Sequence, residues 1–248
     1  MIIMTNKELA DLMYPNVSKT ISDYEKMYPE RNLPEGAVVS RYAPSPTGFV
    51  HVGNMLACFI ENFVPNQTEG VFYLRIEDTD QKREIEGGID NIVDAIKTIG
   101  LDYKEGVVSK DKEVGNYGPY IQSKRIDIYH TFAKYMIEND LAYPCFCTQE
   151  EIDASREEQK LNKTRIGYYG EYASCKNMSI DEAVMRINNG EDYIIRFRSM
   201  GSHDKKFKFK DLVKGEIELP ENDLDYIIMK SDGLPTYHFA HLVDDHFM

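Results

Sequence analysis

The strongest constraint on the fold is a succession of local patterns between Ala37 and Gly100. Ala37 to Ala43 is a short β-rich run, broken by Pro44 and Pro46. Met55 to Val64 is mostly apolar and reads as a buried helix, and Val71 to Ile76 reads as a second strand. Ile85, Ile89, Ile92, Val93, Ile96 and Ile99 then recur at the spacing of one helix face, with Gly100 as the stop. Strand, loop, helix, strand, helix in this order predicts a parallel sheet with crossover helices, an α/β architecture.

Around Tyr143 the character changes. Thr148 with Glu151 and Ser179 with Glu182 have the spacing of capping boxes, each opening a polar helix. Short strands are expected at 193–197, 206–209 and 224–230, followed by the turn Ser231-Asp232-Gly233. The expected organisation is a polar arm over 1–36 with one or two short helices, and the first part of an α/β domain over 37–142. An inserted α+β subdomain follows over 143–222, and the α/β domain returns over 223–248.

Composition narrows the class. The chain has 248 residues and a formal net charge of -13, which argues against a general nucleic-acid-coating protein. A local basic groove built on Lys205, Lys206, Lys208 and Lys210 stays open. No apolar run approaches a membrane span, and Glu8 and Asp11 interrupt the N-terminus where a signal peptide needs an apolar stretch. A cytoplasmic protein is expected. The four cysteines are too few for a disulfide scaffold of this length. Cys145-x-Cys147 with Cys175 has thiols that can share a zinc ion or serve as small core residues, and Cys58 lies on an apolar helix.

Two strings carry chemistry. In Arg41-Tyr-Ala-Pro-Ser-Pro-Thr-Gly-Phe-Val-His-Val-Gly-Asn54 a strand runs into a loop held by prolines, and a helix starts near Asn54. A helix N-terminus has unpaired N–H groups that suit a phosphate. His51 can donate to that phosphate, and Gly53 would let a base or phosphate approach closely. In Leu74-Arg-Ile-Glu-Asp-Thr-Asp80 acidic groups crowd the C-terminal end of a strand, where α/β sheets bind ligands. A carboxylate there can hold an ammonium group, or Asp78 and Asp80 can merely shape a turn and cap the next helix, the reading that suits Asp80 better.

The first string closely resembles the His-Ile-Gly-His signature of class I aminoacyl-tRNA synthetases in its glutamyl form, flanked by the Ala-Pro-Ser-Pro-Thr-Gly run of glutamyl and glutaminyl enzymes. The Arg-Ile-Glu-Asp-Thr-Asp string, Gly118-Pro-Tyr-Ile-Gln-Ser-Lys-Arg125 and Asp232-Gly-Leu-Pro-Thr-Tyr-His-Phe-Ala-His-Leu-Val-Asp-Asp-His246 resemble further glutamyl-synthetase segments. The resemblance runs from about Gly36 to Met248. It implies a Rossmann-type doubly wound parallel sheet and ATP-dependent activation of L-glutamate to glutamyl-adenylate. The glutamate is then transferred to the 3' end of tRNA(Glu), with Mg²⁺ on the phosphates of ATP and the enzyme acting as a monomer.

The resemblance also implies roles. Arg41 pairs with a glutamate carboxylate in fork geometry, Ala43, Ser45 and Glu77 surround the amino-acid head, and Tyr237 contacts the substrate side chain. Thr47, His51, Gly53 and Asn54 belong to the ATP site, with His51 and Gly53 as its catalytic pair. His241 stands where many relatives have Asn, which puts one polar contact in question. Some glutamyl synthetases carry zinc in the insertion, and here Tyr168 or Tyr172 falls where another ligand beside the three cysteines is expected. The family's Lys-x-Ser-Lys signature is not in the sequence. The chain therefore reads as the N-terminal catalytic part of a longer enzyme, expected to fold yet not to charge tRNA alone at a useful rate. A paralogue that attaches glutamate to a queuosine-type anticodon base, a glutaminyl enzyme and a non-catalytic binding domain are the rivals.

Overall fold

The computed structural model describes residues 4–248, and they fall into two compact units. One is formed by 18–129 with 237–248, the other by the N-terminal residues to Val17 with 130–236. The first 36 residues thus divide between the units. They contain α1 (Asn6–Met13) and α2 (Ile21–Met27), each opened by a threonine capping box, Thr5 with Glu8 and Thr20 with Asp23. The unit containing the 143–222 segment extends beyond it at both ends.

In the first unit β1 (Val39–Tyr42), β2 (Val71–Leu74) and β3 (Glu105–Ser109) run parallel, and β4 (Lys112–Val114) adds antiparallel to β3. The helices α3 (Val52–Gln67) and α4 (Gly88–Thr98) connect the parallel strands. This is the expected α/β architecture, with the strand order β1-β2-β3-β4. The isoleucine stripe works as its spacing requires: Ile89, Ile92, Val93 and Ile96 are buried, and Gly100 adopts a left-handed conformation just beyond the helix. They pack with Phe72, Leu74, Ile76 and Val107 into one core.

One expectation is corrected. The helix over 55–64 is not buried: α3 hides Cys58, Asn62 and Pro65, while Leu56, Phe59, Ile60 and Phe63 are about half exposed. Its apolar residues lie all around the helix, so composition could not tell which face meets the sheet.

The second unit holds an antiparallel sheet of β5 (Ala142–Cys145), β6 (Ile194–Phe197) and β9 (Ile227–Met229). It also holds α6 (Gln149–Leu161), α7 (Ile180–Asn188) and the hairpin β7 (Lys206–Asp211) with β8 (Gly215–Pro220). Thr148 and Glu151 form the complete capping box, whereas at α7 only the Ser179 hydroxyl accepts from the Glu182 N–H. Two of the four lysines of the expected groove are paired across the hairpin, Lys206 with Glu218 and Lys208 with Glu216, both at 3.0 Å. The remaining helices are α5 (Ile126–Glu138) and α8 (Tyr237–Phe247). Among the described residues no helix is long and apolar enough to cross a membrane.

Candidate active site

The candidate site lies where β1 ends and α3 begins. The Pro-Ser-Pro-Thr loop leaves β1 after Tyr42 and is tied down at two points, where the Glu77 N–H donates to Pro44 O and the Ile85 N–H to Pro46 O. His51 is the N-cap of α3, and its Nδ1 accepts from the Gly53 N–H at 3.2 Å. A Cβ on Gly53 would sit 3.1 Å from the imidazole, so the glycine makes room for the capping ring. The Asn54 side chain completes the box by accepting from the His51 N–H. In this state His51 serves the helix terminus, and its Nε2 is the nitrogen left for a ligand.

A cleft of about 560 Å³ opens beside this loop. Arg41, Ala43, Ser45, Thr47, His51, Asn54 and Tyr237 line it. Gly53, Glu77 and His241 are not among its lining residues. A larger cleft of about 1020 Å³ also borders Arg41 but is lined by residues of 25–33 and the end of α8 and holds none of the loop. The loop cleft is the better candidate because Arg41, Ser45, Thr47, His51 and Asn54 of the first string line it together. Tyr237 is half exposed and lies parallel to the His241 ring at 5.6 Å.

Behind the cleft stands a frame of charges that the motifs did not announce. Arg41 is not buried, with 23% of its side chain exposed, and its carboxylate partner is Asp245. Nε donates to Oδ1 and Nη2 to Oδ2, both at 2.9 Å, and Nη2 also meets His241 Nδ1 at 2.8 Å. Asp245 Oδ1 accepts again from Arg75 Nη1 at 2.8 Å, and Arg75 Nη2 donates to Glu77 at 2.9 Å. Burial raises the Glu77 carboxyl above the usual range while Arg75 opposes it. Burial works against ionisation at Asp245 too, but Arg41 and Arg75 prevail and hold it below the usual range.

Next to Asp245, the fully buried Asp244 accepts from Gln122 Nε2 at 2.9 Å, Arg125 Nε at 2.7 Å and Tyr129 OH at 2.8 Å. Asp78 accepts from the backbone and hydroxyl of Ser123. Gln122, Ser123 and Arg125, all from the Gly118–Arg125 string, thus tie Asp78 and Asp244 in place. The signal for this lay in Asp244-Asp245 beside the apolar Leu242 and Val243, since buried carboxylates need several donors. Asp80 stays at the surface, paired with Arg83.

In the other unit the three cysteines come together: the Sγ atoms of Cys145, Cys147 and Cys175 lie within 4.8 Å of one another. The Tyr168 hydroxyl is 3.4 Å from Cys145 Sγ and 3.3 Å from Cys147 Sγ. Tyr172 instead packs edge-on against Tyr169. Hydrogen bonds from Cys147 and Cys175 pull the Cys145 thiol far below its ordinary value, and their counterparts push Cys175 up. Cys58 is fully buried, and its thiol is pushed up to about 12 by burial.

Comparison with known proteins adds to this geometry. The family model described as tRNA synthetases class I (E and Q), catalytic domain, matches residues 37–248. The chain is 52% identical over 245 residues to a glutamate–tRNA ligase of Clostridium beijerinckii, covering 99% of this chain and 44% of that protein. It is 49% identical to one of Clostridium perfringens strain 13, covering 99% and 45%. The chain thus spans less than half the length of these curated relatives. Among solved structures, a glutamate tRNA ligase from Elizabethkingia meningosepticum in complex with its amino acid superposes with a TM-score of 0.75 at 34% identity, over 85% of this chain and 42% of that one. A glutamate-tRNA synthetase from Elizabethkingia anophelis gives 0.74 at 33%, over 86% and 43%.

Proposed function

From the premise that the chain belongs to the class I tRNA synthetases of the E and Q type, as a catalytic domain, we propose that it binds L-glutamate and ATP and forms glutamyl-adenylate. Transfer of the activated glutamate to the 3' end of tRNA(Glu), in the cytoplasm and by a monomer, belongs to the same proposal as the whole enzyme's second step, which this chain is not expected to carry out alone at a useful rate. One observation carries the reading: Arg41, Ser45, Thr47, His51, Asn54 and Tyr237 line one cleft, and the loop that bounds it accepts the Glu77 N–H at Pro44 O. Arg41 offers a charged donor to a ligand carboxylate, Ser45 and Glu77 address the amino-acid head, and the Tyr237 ring covers the side chain. Thr47, the His51 Nε2 and Asn54 face ATP, which arrives as its Mg²⁺ complex, and Gly53 serves that site by leaving room for the His51 ring. The substrate carboxylate is itself the nucleophile, so these residues act by positioning and by stabilising phosphate charge. The relatives' names favour glutamate over glutamine and lend no support to a modified anticodon base.

The three cysteines also suit zinc, since thiolates are its preferred structural ligands. Cys145, Cys147 and Cys175 would hold it, with the Tyr168 hydroxyl as the nearest further donor. The ion would tie β5 to the loop between α6 and α7.

The test is calorimetric titration of glutamate, glutamine and ATP into the chain and its Arg41→Ala variant. Loss of a partly exposed charged contact is worth about 1.5–3 kcal/mol, so glutamate affinity should fall roughly 10- to 100-fold. ATP affinity should hold. If glutamate affinity survives in Arg41→Ala, the assignment is wrong.

A further inference from the structure

A guanidinium has five N–H donors. In Arg41, Asp245 takes the Nε–H and one Nη2 hydrogen, and His241 Nδ1 meets the other. The fork edge that would grip a carboxylate in bidentate fashion is therefore already closed by the protein's own carboxylate. The donors left for a ligand in the cleft are those of Nη1. Asp245 also holds Arg75, so one side chain in the last turn of α8 bridges two guanidiniums. One comes from β1 and the other from the residue after β2.

We propose that Asp245 is a positioning residue for amino-acid recognition, clamping the Nε–Nη2 edge of Arg41 so that the Nη1 end alone meets the ligand carboxylate. The proposal rests on the reading that glutamate binds through Arg41. Two opposing effects make it decidable. Removing the Asp245 charge leaves the pair of guanidiniums more positive, which by itself attracts a carboxylate. It also leaves two like charges facing each other with only His241 holding Arg41, and a long side chain freed in this way regains its rotamers. Direction wins over charge here because a charge-assisted hydrogen bond needs its donors aimed.

The experiment titrates L-glutamate, L-glutamine and ATP into the chain, its Asp245→Asn and Asp245→Glu variants, and Arg41→Ala. Asp245→Asn is expected to weaken glutamate binding about tenfold or more, with ATP affinity held within about twofold. The preference for glutamate over glutamine should shrink, and Asp245→Glu should restore part of it. Unchanged or tighter glutamate binding by Asp245→Asn overturns the proposal, because Asp245 would then merely compete for Arg41. Equal weakening of all three ligands overturns it too, since that is the mark of a structural role. Should Asp245→Asn fail to fold, retained selectivity in Asp245→Glu supports the proposal, and misfolding of both refutes it. A chain that binds no glutamate, or an Arg41→Ala variant that binds it as well as the parent does, instead refutes the glutamate reading on which the proposal rests.

Discussion

Asp244 offers the sharpest test of what holds the site together. It is fully buried and accepts three hydrogen bonds, from Gln122, Arg125 and Tyr129, with Arg75 Nε 3.8 Å away. Asp244→Ala leaves these donors facing a small void. Arg125 keeps the carbonyls of Tyr117 and Pro119, and Arg75 keeps Glu77 and Asp245, so neither charge is stranded outright. Removing one partner of a buried ion pair costs about 3–5 kcal/mol, and the two neutral donors raise the expected loss to roughly 4–6 kcal/mol. Asp244→Asn keeps the shape and one acceptor and should lose roughly half of that. The loss is a large share of the stability of an ordinary domain.

The assay is urea unfolding followed by far-UV circular dichroism. The chain has no tryptophan, so intrinsic fluorescence rests on its tyrosines. With a slope of about 1–3 kcal/mol per molar urea, the midpoint should fall by roughly 1.3 M or more for Asp244→Ala. All partners of Asp244 lie in the unit formed by 18–129 and 237–248, so only that unit's transition should move. Asp94→Ala removes a solvent-exposed pair with Lys97 and should change stability by less than about 0.5 kcal/mol. A loss below about 1 kcal/mol for Asp244→Ala would falsify the claim that buried charge pairing organises this frame.

Two further outcomes follow from other clusters. Protein purified without chelators should hold close to one zinc per chain, lost in Cys147→Ser; metal analysis finding none in the parent would reduce Cys145, Cys147 and Cys175 to small packed side chains. At Glu105 burial works against ionisation, but bidentate pairing with Arg31 and the Tyr120 hydroxyl outweigh it and hold the carboxyl below its ordinary value. A depressed carboxylate stabilises the fold above its unfolded pKa and loses that contribution as pH falls through the folded one, so the stability gap between the parent and Glu105→Gln should shrink as pH falls below the ordinary carboxylate range. A constant gap would show that the pairing contributes nothing.

What the sequence discloses and what it withholds divide along the range of the interactions. The β1–loop–α3–β2–α4 succession was legible because its signals are local: β-rich runs, paired prolines, a stripe of isoleucines and a terminal glycine. The Thr148 capping box is read within four residues, and its predicted contacts are present. The burial of α3 was misjudged because an apolar helix does not say which face has a partner. The pairing of Lys206 and Lys208 was not legible because their glutamates lie on the returning strand, where only the register of β7 on β8 brings them close. Between Tyr168 and Tyr172 the sequence offered no choice, and the 3-10 turn Gly170–Tyr172 makes it by placing Tyr168 alone against the thiols.

The site frame was the least legible part, for the same reason taken further. Arg41 and Asp245 are 204 positions apart, Arg75 and Asp245 170, and Gln122 and Asp244 122. Each of these residues has an ordinary local explanation, as a strand arginine, a helix aspartate or a turn glutamine. Only in the fold do Arg41, Arg75 and Arg125 face Glu77, Asp244 and Asp245, a frame of equal and opposite formal charge. The chain as a whole is strongly acidic, yet the cleft is backed by a neutral, directional set of donors and acceptors. Recognition there cannot rest on net field. It must rest on which N–H of which guanidinium remains unclaimed, and Asp245 on α8 decides that for Arg41.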